Sequence, residues 1–231
     1  MALLLCVETS TPVCSVALFN DTEFIGGIEI AEPNMHASML APIIKQVMHE
    51  ANYSLTDVDA IAVSAGPGSY TGLRVGVATV KGICYALQKP LIAVSTLQSL
   101  ASILVDQTGE NKNILYAPMI DARRMEVYTA LFDENNNVVI PPMAHVLDQH
   151  SFETHLHRYQ IIAGGTGAEK SLSVIQHPNF KVLPNINCSA KGMINAAYKC
   201  WLNNQFESAA YFEPFYLKDF VGTVPKPKVV S

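Results

Sequence analysis

Ser64-Ala65-Gly66-Pro67-Gly68-Ser69-Tyr70-Thr71-Gly72-Leu73-Arg74-Val75-Gly76 is the stretch on which the fold turns. An apolar run, Ile61-Ala62-Val63, feeds it, and an amphipathic run from Val75 to Leu87 leaves it. The pattern predicts a strand, a tight glycine turn and a helix start. Gly66 and Gly68 allow backbone angles closed to other residues, and Pro67 fixes the turn between them. Amides exposed at such a turn and helix N-terminus suit an anion. The stretch lacks the Gly-Lys-Ser/Thr of a phosphate loop and the spacing of a dinucleotide fingerprint. A turn required only for packing therefore stands beside the anion-binding reading.

Composition sets the frame around this stretch. A chain of 231 residues can form one large domain or two small ones. With 49% apolar and 15% charged residues it can build a sizeable core and leave apolar surface for a partner. The net charge of −5 argues against autonomous nucleic-acid binding, which calls for a basic face. No run of about 18 uncharged apolar residues exists, so no membrane span is expected. No positive charge precedes the first short apolar run, which does not read as a signal peptide. The five cysteines, Cys6, Cys14, Cys84, Cys188 and Cys200, are an odd number without CxxC spacing. Cys6, Cys14 and Cys84, in apolar segments, read as small buried side chains; nothing in the set suggests a disulfide framework or zinc, and the expected compartment is the reducing cytosol.

Outward from the glycine turn, the pattern gives strands at 2–7, 13–19 and 23–30, a helix over 37–51 and a strand at 60–64. A helix past the turn, a strand at 91–94 and a helix from Ser95-Thr96 to about Val105 follow, with Ser95 or Thr96 as cap. The order then recurs. Strands are expected at 113–120, 125–132 and 138–146, the last weakened by Pro141-Pro142. A helix near 149–157, a strand at 160–163, a helical segment, a short strand around Lys181-Val182 and a helix near 190–203 complete it. This is an α/β chain, and two copies of the order resemble the duplicated ribonuclease H-like architecture of the actin, hexokinase and Hsp70 (ASKHA) group. The two lobes are expected at 1–105 and 106–231, with the boundary in Asp106–Lys112. The tail 225–231 is expected to be mobile.

Three motifs carry a closer resemblance: Leu5-Cys6-Val7-Glu8-Thr9-Ser10-Thr11, the glycine stretch itself, and Ile120-Asp121-Ala122-Arg123. In order and separation they are similar to those of the bacterial TsaB (YeaZ) family, with a fainter fourth match at Tyr216-Leu217-Lys218. The resemblance implies a non-catalytic, cytoplasmic partner of TsaD, which transfers threonylcarbamoyl to the adenosine beside the anticodon of transfer RNA. It further implies assistance by the TsaE ATPase, a homodimer when TsaD is absent, and contact with tRNA only through the complex.

In the ASKHA architecture, hairpins reach toward nucleotide phosphates and a glycine loop holds the adenosine. The counterparts here are Glu8, Thr9 and Ser10 with Gly66 and Gly68, then Asp121-Ala122-Arg123, then Gly164-Gly165-Thr166-Gly167. An acidic residue at the first hairpin could hold Mg²⁺ through water. Glu8 stands where Asp is commoner, however, and that hairpin has no lysine, so Thr9 and Ser10 could equally satisfy turn amides alone. The alternative function is a stand-alone ATP-dependent phosphotransferase. The resemblance leaves room for ATP or ADP near the partner interface.

TsaD relatives hold metal through two histidines one helical turn apart. Here His36 is followed at that spacing by Leu40, and His155-x-His157 lies in a polar stretch, so no metal site is expected. Ser10 and Ser69 are turn serines with no histidine nearby in sequence. Arg74 and Arg123-Arg124 could meet phosphates or a partner's carboxylates, or could be exposed charge alone.

The helices say more about partners. Leu73, Val77, Val80, Cys84 and Leu87 recur at four-three-four-three spacing, a stripe for one face. Val75, Ile83 and Ala86 occupy another side, and Gly72 and Gly76 permit close approach. The earlier helix carries Met39, Leu40, Ile43, Ile44, Val47 and Met48, wider than one buried face; Pro42 suits only a first turn. A helix buried between two sheets would read the same way. The resemblance implies an interface with TsaD, or with a second copy, through His36, Met39, Leu40, Ile43, Ile44, Val47, Leu73, Val77, Val80 and Cys84.

Overall fold

The computed structural model describes residues 1–32 and 35–218. The tail at 225–231, expected to be mobile, lies outside them. Strands β1 (Leu3–Glu8), β2 (Cys14–Asn20), β3 (Glu23–Ile30), β4 (Ala60–Gly66) and β5 (Leu91–Ser95) form one sheet in the order β3-β2-β1-β4-β5. β1 pairs antiparallel with β2 and parallel with β4. Strands β6 (Ile114–Asp121), β7 (Glu126–Phe132), β8 (Val138–Val146), β9 (Gln160–Gly164) and β10 (Phe180–Val182) form the second sheet, ordered β10-β9-β6-β7-β8. The two orders match strand for strand, as the duplicated α/β architecture requires.

β1 reads as an unbroken apolar run because both of its faces are covered. Leu3, Leu5 and Val7 point toward helices α1 (His36–Glu50) and α2 (Tyr70–Leu87), while Leu4 and Cys6 point toward α5 (Ile194–Leu202). In the second sheet, Tyr116, Ile120, Ala130 and Phe132 face Leu97, Leu100, Ala101 and Leu104 of α3 (Thr96–Thr108). The opposite face, with Leu115, Met119 and Val127, is closed by Leu147, Phe152, Leu156 and Ile175.

Two helices cross between the halves. α3 belongs to the first half by sequence yet packs chiefly on the second sheet, and α5 belongs to the second half yet packs on the first. A cut at 105/106 therefore separates the strands but not the helices. Each half's final helix serves the other half.

Local departures from expectation have local causes. Pro42 is the seventh residue of α1, not in its first turn; it is exposed, and the Ser38 carbonyl left without its N–H lies on the solvent side. β8 tolerates Pro141-Pro142 because it is an edge strand, paired among the described residues with β7 alone. The helix expected over 149–157 shrinks to α4 (Glu153–Leu156), because Phe152 adopts φ 62° and the Ser151 hydroxyl accepts the Asp148 N–H in a turn at 2.9 Å. The last helix opens with a 3-10 turn at Ala190–Met193. All five cysteines are free; burial pushes the Cys6 thiol up to about 12 and those of Cys14 and Cys84 to about 11. Among the described residues, no helix is long and apolar enough to cross a membrane.

After α5 the chain returns along the first lobe without regular structure. The Glu207 N–H donates to Leu91 O at 2.8 Å, the Lys81 ammonium to Phe212 O at 2.8 Å, and the Phe215 N–H to Ala65 O at 2.7 Å. At Lys218, the last of the described residues, it pairs with Glu126 of the second sheet.

Candidate functional site

The turn between β1 and β2 is sealed. Glu8, Thr9, Ser10 and Thr11 are all at most 2% exposed. α2 starts directly over them. Its cap, Ser69, accepts the Gly72 N–H through Oγ at 3.2 Å and donates its own N–H to Ser10 O at 2.6 Å. Gly68, Gly72 and Gly76, spaced by four, present backbone instead of side chain to the turn. A Cβ at Gly68 would sit 2.5 Å from Ser10 O, and one at Gly72 or Gly76 would overlap Thr9. The glycines are needed here for close approach of backbone to backbone.

Glu8, expected to reach toward a metal or phosphate, is turned inward. Its Oε1 accepts the Ser10 N–H at 2.6 Å, and its Oε2 has no partner among the described residues. Burial pushes its carboxyl above the usual range, against the hydrogen bonds it accepts. Gly66 likewise faces Phe215 O of the returning segment rather than a ligand. The residues present do not fit a magnesium nucleotide in this hairpin: the space is filled by α2.

The second hairpin is also occupied from within. The Lys170 ammonium pairs with Asp121 and donates to the carbonyls of Arg124 at 2.8 Å and Glu126 at 2.5 Å. The Asp121 N–H donates to Thr166 Oγ1 at 3.1 Å. Gly164 is buried against Leu104 and Ile186, and Gly165, at φ +114°, lies against Met119 O. The glycine loop seats the hairpin rather than opening a pocket beside it.

His36 opens α1 with Nε2 2.8 Å from Thr11 O. With Thr11, Ser69, Thr71, Gly72 and Val75 it lines a cavity of about 220 Å³ between the starts of α1 and α2. Among the described residues, no group of three or more His, Cys, Asp or Glu is placed to hold a metal. Ser69 Oγ is engaged as the helix cap, and Ser10 is buried.

The expected partner residues need correction. Leu40, Ile43, Ile44 and Val47 of α1 and Leu73, Val77, Val80 and Cys84 of α2 are at most 4% exposed. All but Leu73 join one core cluster with Leu5, Val7, Val16, Leu18, Ile61 and Val63. The four-three stripe marks the face each helix turns to its own sheet. Met39 is half-buried against the same core. The outward face of α2 carries Thr71, Arg74, Ala78, Gly82, Tyr85 and Ala86 instead, and that of α1 carries Ala37, Ser38, Ala41, Pro42 and Lys45. Counting from the opposite side of the stripe gives this exposed face.

The sequence reading also missed a groove of about 490 Å³ between α2 and the returning segment, lined by Arg74, Val77, Ala78, Lys81, Phe212, Glu213, Pro214 and Tyr216. Tyr216 packs on Tyr70 at 4.8 Å between ring centres, and its hydroxyl lies 3.4 Å from Arg74 Nε. Its only trace in the sequence was the fourth motif, Tyr216-Leu217-Lys218.

Comparison with known proteins follows these features. The family model described as TsaD, tRNA N6-adenosine threonylcarbamoyltransferase, matches residues 23–220. The tRNA threonylcarbamoyladenosine biosynthesis protein TsaB of Escherichia coli is 36% identical over 134 residues, 58% of this chain and 56% of that protein. The match thus spans little more than half the length of that curated relative. YeaZ from Pseudomonas aeruginosa has the same fold, with a TM-score of 0.81 and 28% identity, covering 94% of this chain and all of that one. An activator of 2-hydroxyisocaproyl-CoA dehydratase from Clostridium difficile is 8% identical with a TM-score of 0.50, covering 88% of this chain and 96% of that one; it shares the fold alone.

Proposed function

The chain belongs to the TsaB (YeaZ) family, and from that premise we propose that it is a non-catalytic subunit for making threonylcarbamoyladenosine in tRNA. Its partner is TsaD, which carries the transfer of threonylcarbamoyl to the adenosine beside the anticodon. TsaE assists turnover, the setting is the cytoplasm, and the free chain pairs with itself. One observation supports the non-catalytic part above the others: the first hairpin, where this architecture would meet phosphates, is filled by the N-terminus of α2. Glu8 is enclosed, and the half-exposed Asp121 is ion-paired to Lys170, so neither carboxylate stands unpaired where this architecture would meet a phosphate. The outward faces of α1 and α2, small and mixed in character, are the surface offered to TsaD or to a second copy. ATP or ADP, if it joins the complex, meets this chain at the rim of that surface rather than in a hairpin.

The test is reconstitution. TsaD, TsaE, ATP, a threonylcarbamoyl donor system and tRNA are assayed for transfer with and without the chain. Transfer that needs the chain, together with no ATP turnover by the chain alone, supports the reading. A rate unchanged by omitting it, or phosphotransfer by the chain alone, overturns it.

A further inference from the structure

Three of the chain's four arginines, Arg74, Arg123 and Arg124, stand on one edge where the two lobes meet. The path between them is continuous. Arg74 lies over the Tyr70 ring at 4.1 Å and beside Tyr216; two residues on, Lys218 pairs with Glu126. Lys170 then joins the Glu126 carbonyl to that of Arg124. Along this edge Asp121 neutralises Lys170, Glu126 neutralises Lys218, and Glu213 lies beside Arg74. Arg123 and Arg124 differ. Both are exposed, and among the described residues their guanidinium groups make no hydrogen bond or ion pair.

Their backbone is informative too. Arg123 has φ 69° and Arg124 φ 47°, consecutive left-handed residues at the tip of the β6–β7 hairpin. Asn and Gly take such positions with little strain, while long side chains do so at a cost. The turn uses the Arg123 backbone, whose N–H donates to Asp121 Oδ1 and whose carbonyl accepts the Glu126 N–H, and not the guanidinium groups. The two arginines hold two planar, permanently charged forks out into solvent, and that geometry fits phosphate.

We propose that Arg123 and Arg124 grip the phosphate backbone of the tRNA that the complex modifies. The proposal rests on the functional reading above. The overall balance of −5 gives the chain little general attraction for a polyanion, so any grip on one has to come from locally unpaired cations such as these two. Phe215, 53% exposed, adds an aromatic face for an unpaired base. Two contacts give the lone chain only weak, salt-sensitive binding; added to those of a partner, they orient the RNA.

The experiment measures anisotropy of a labelled tRNA transcript bound by the purified complex with TsaD, across a salt series. The variant is Arg123→Asn with Arg124→Gly, which suits the turn better than the parent and so keeps the fold. Loss of two phosphate contacts should lower the salt slope by about 2 and the affinity on the order of tenfold at ~0.1 M salt. Co-elution with TsaD should be unchanged and Tm unchanged or higher. An unaltered slope and affinity overturn the proposal. So does loss of TsaD co-elution, which would make the edge a protein contact. Transfer activity of the wild-type complex separates the two readings: if transfer needs the chain but RNA binding ignores the arginines, only the edge fails. If no complex forms, the functional reading fails and the same slopes on the chain alone decide the edge.

Discussion

Alanine placed at two glycines of one helix should change stability in opposite directions. At Gly82 of α2, an added Cβ meets nothing within 4 Å. Only helix propensity acts there, and Gly→Ala should stabilise by ~0.5–1 kcal/mol. At Gly72 the same Cβ overlaps the Thr9 carbonyl oxygen, with Thr9 C at 3.3 Å and Ser69 Cβ at 3.4 Å behind it. Thr9 cannot retreat, because it is fully buried and its N–H is held by Ser64 Oγ at 3.2 Å. Overpacking against such a site costs ~1–3 kcal/mol, and displacing a buried backbone group puts this case at the upper end. After the propensity gain, the net loss is ~2 kcal/mol. For a chain of this size, 1 kcal/mol moves Tm by ~2–4 °C. Differential scanning fluorimetry, backed by urea titration at fixed protein concentration, should show Gly72→Ala lower by roughly 4–8 °C and Gly82→Ala higher by ~1–4 °C. If both variants gain stability, the hairpin is not clamped by the helix, and the argument for a closed phosphate turn falls with it.

Val80→Glu puts a charge at a fully buried position and should unfold the protein, at a cost of ~3–5 kcal/mol. Ala78→Glu, on the exposed side of the same helix, should leave circular dichroism unchanged while abolishing co-elution with TsaD; a folded Val80→Glu chain would reverse the assignment of faces. Glu8 gives a pH signature. Its folded value is raised, so the native state keeps a proton that the unfolded chain has released, and stability falls as pH rises from about 4.5 toward the raised value. Urea midpoints for Glu8→Gln should lose that slope, and a slope equal to the parent's would mean the carboxyl is not the group responsible.

The strands, the helix cap at Ser95 and the duplicated order were legible because alternation, apolar runs and cap residues are local signals. The closed hairpin was not. Glu8-Thr9-Ser10-Thr11 has the composition of a solvated turn, and only the fourfold spacing of Gly68, Gly72 and Gly76 hints that a helix lies on it. The buried faces of α1 and α2 were read as a partner surface for a related reason. Valine and isoleucine stripes say which side of a helix is buried but not by whom, and the nearest cover was the chain's own sheet. The groove beside Arg74 depends on residues 206–218, which carry no periodicity at all.

The exchange of α3 and α5 has a consequence in time rather than in space. On a ribosome, β1 to β5 emerge long before α5, so Leu4, Cys6, Ala62 and Ile92 face water until the chain reaches residue 202. At ~5–20 residues per second, the roughly 100 intervening residues leave that face uncovered for ~5–20 s. A nascent chain halted between the sheets should therefore be held by chaperones or cleaved, and it gains full protection only once its last helix has been made.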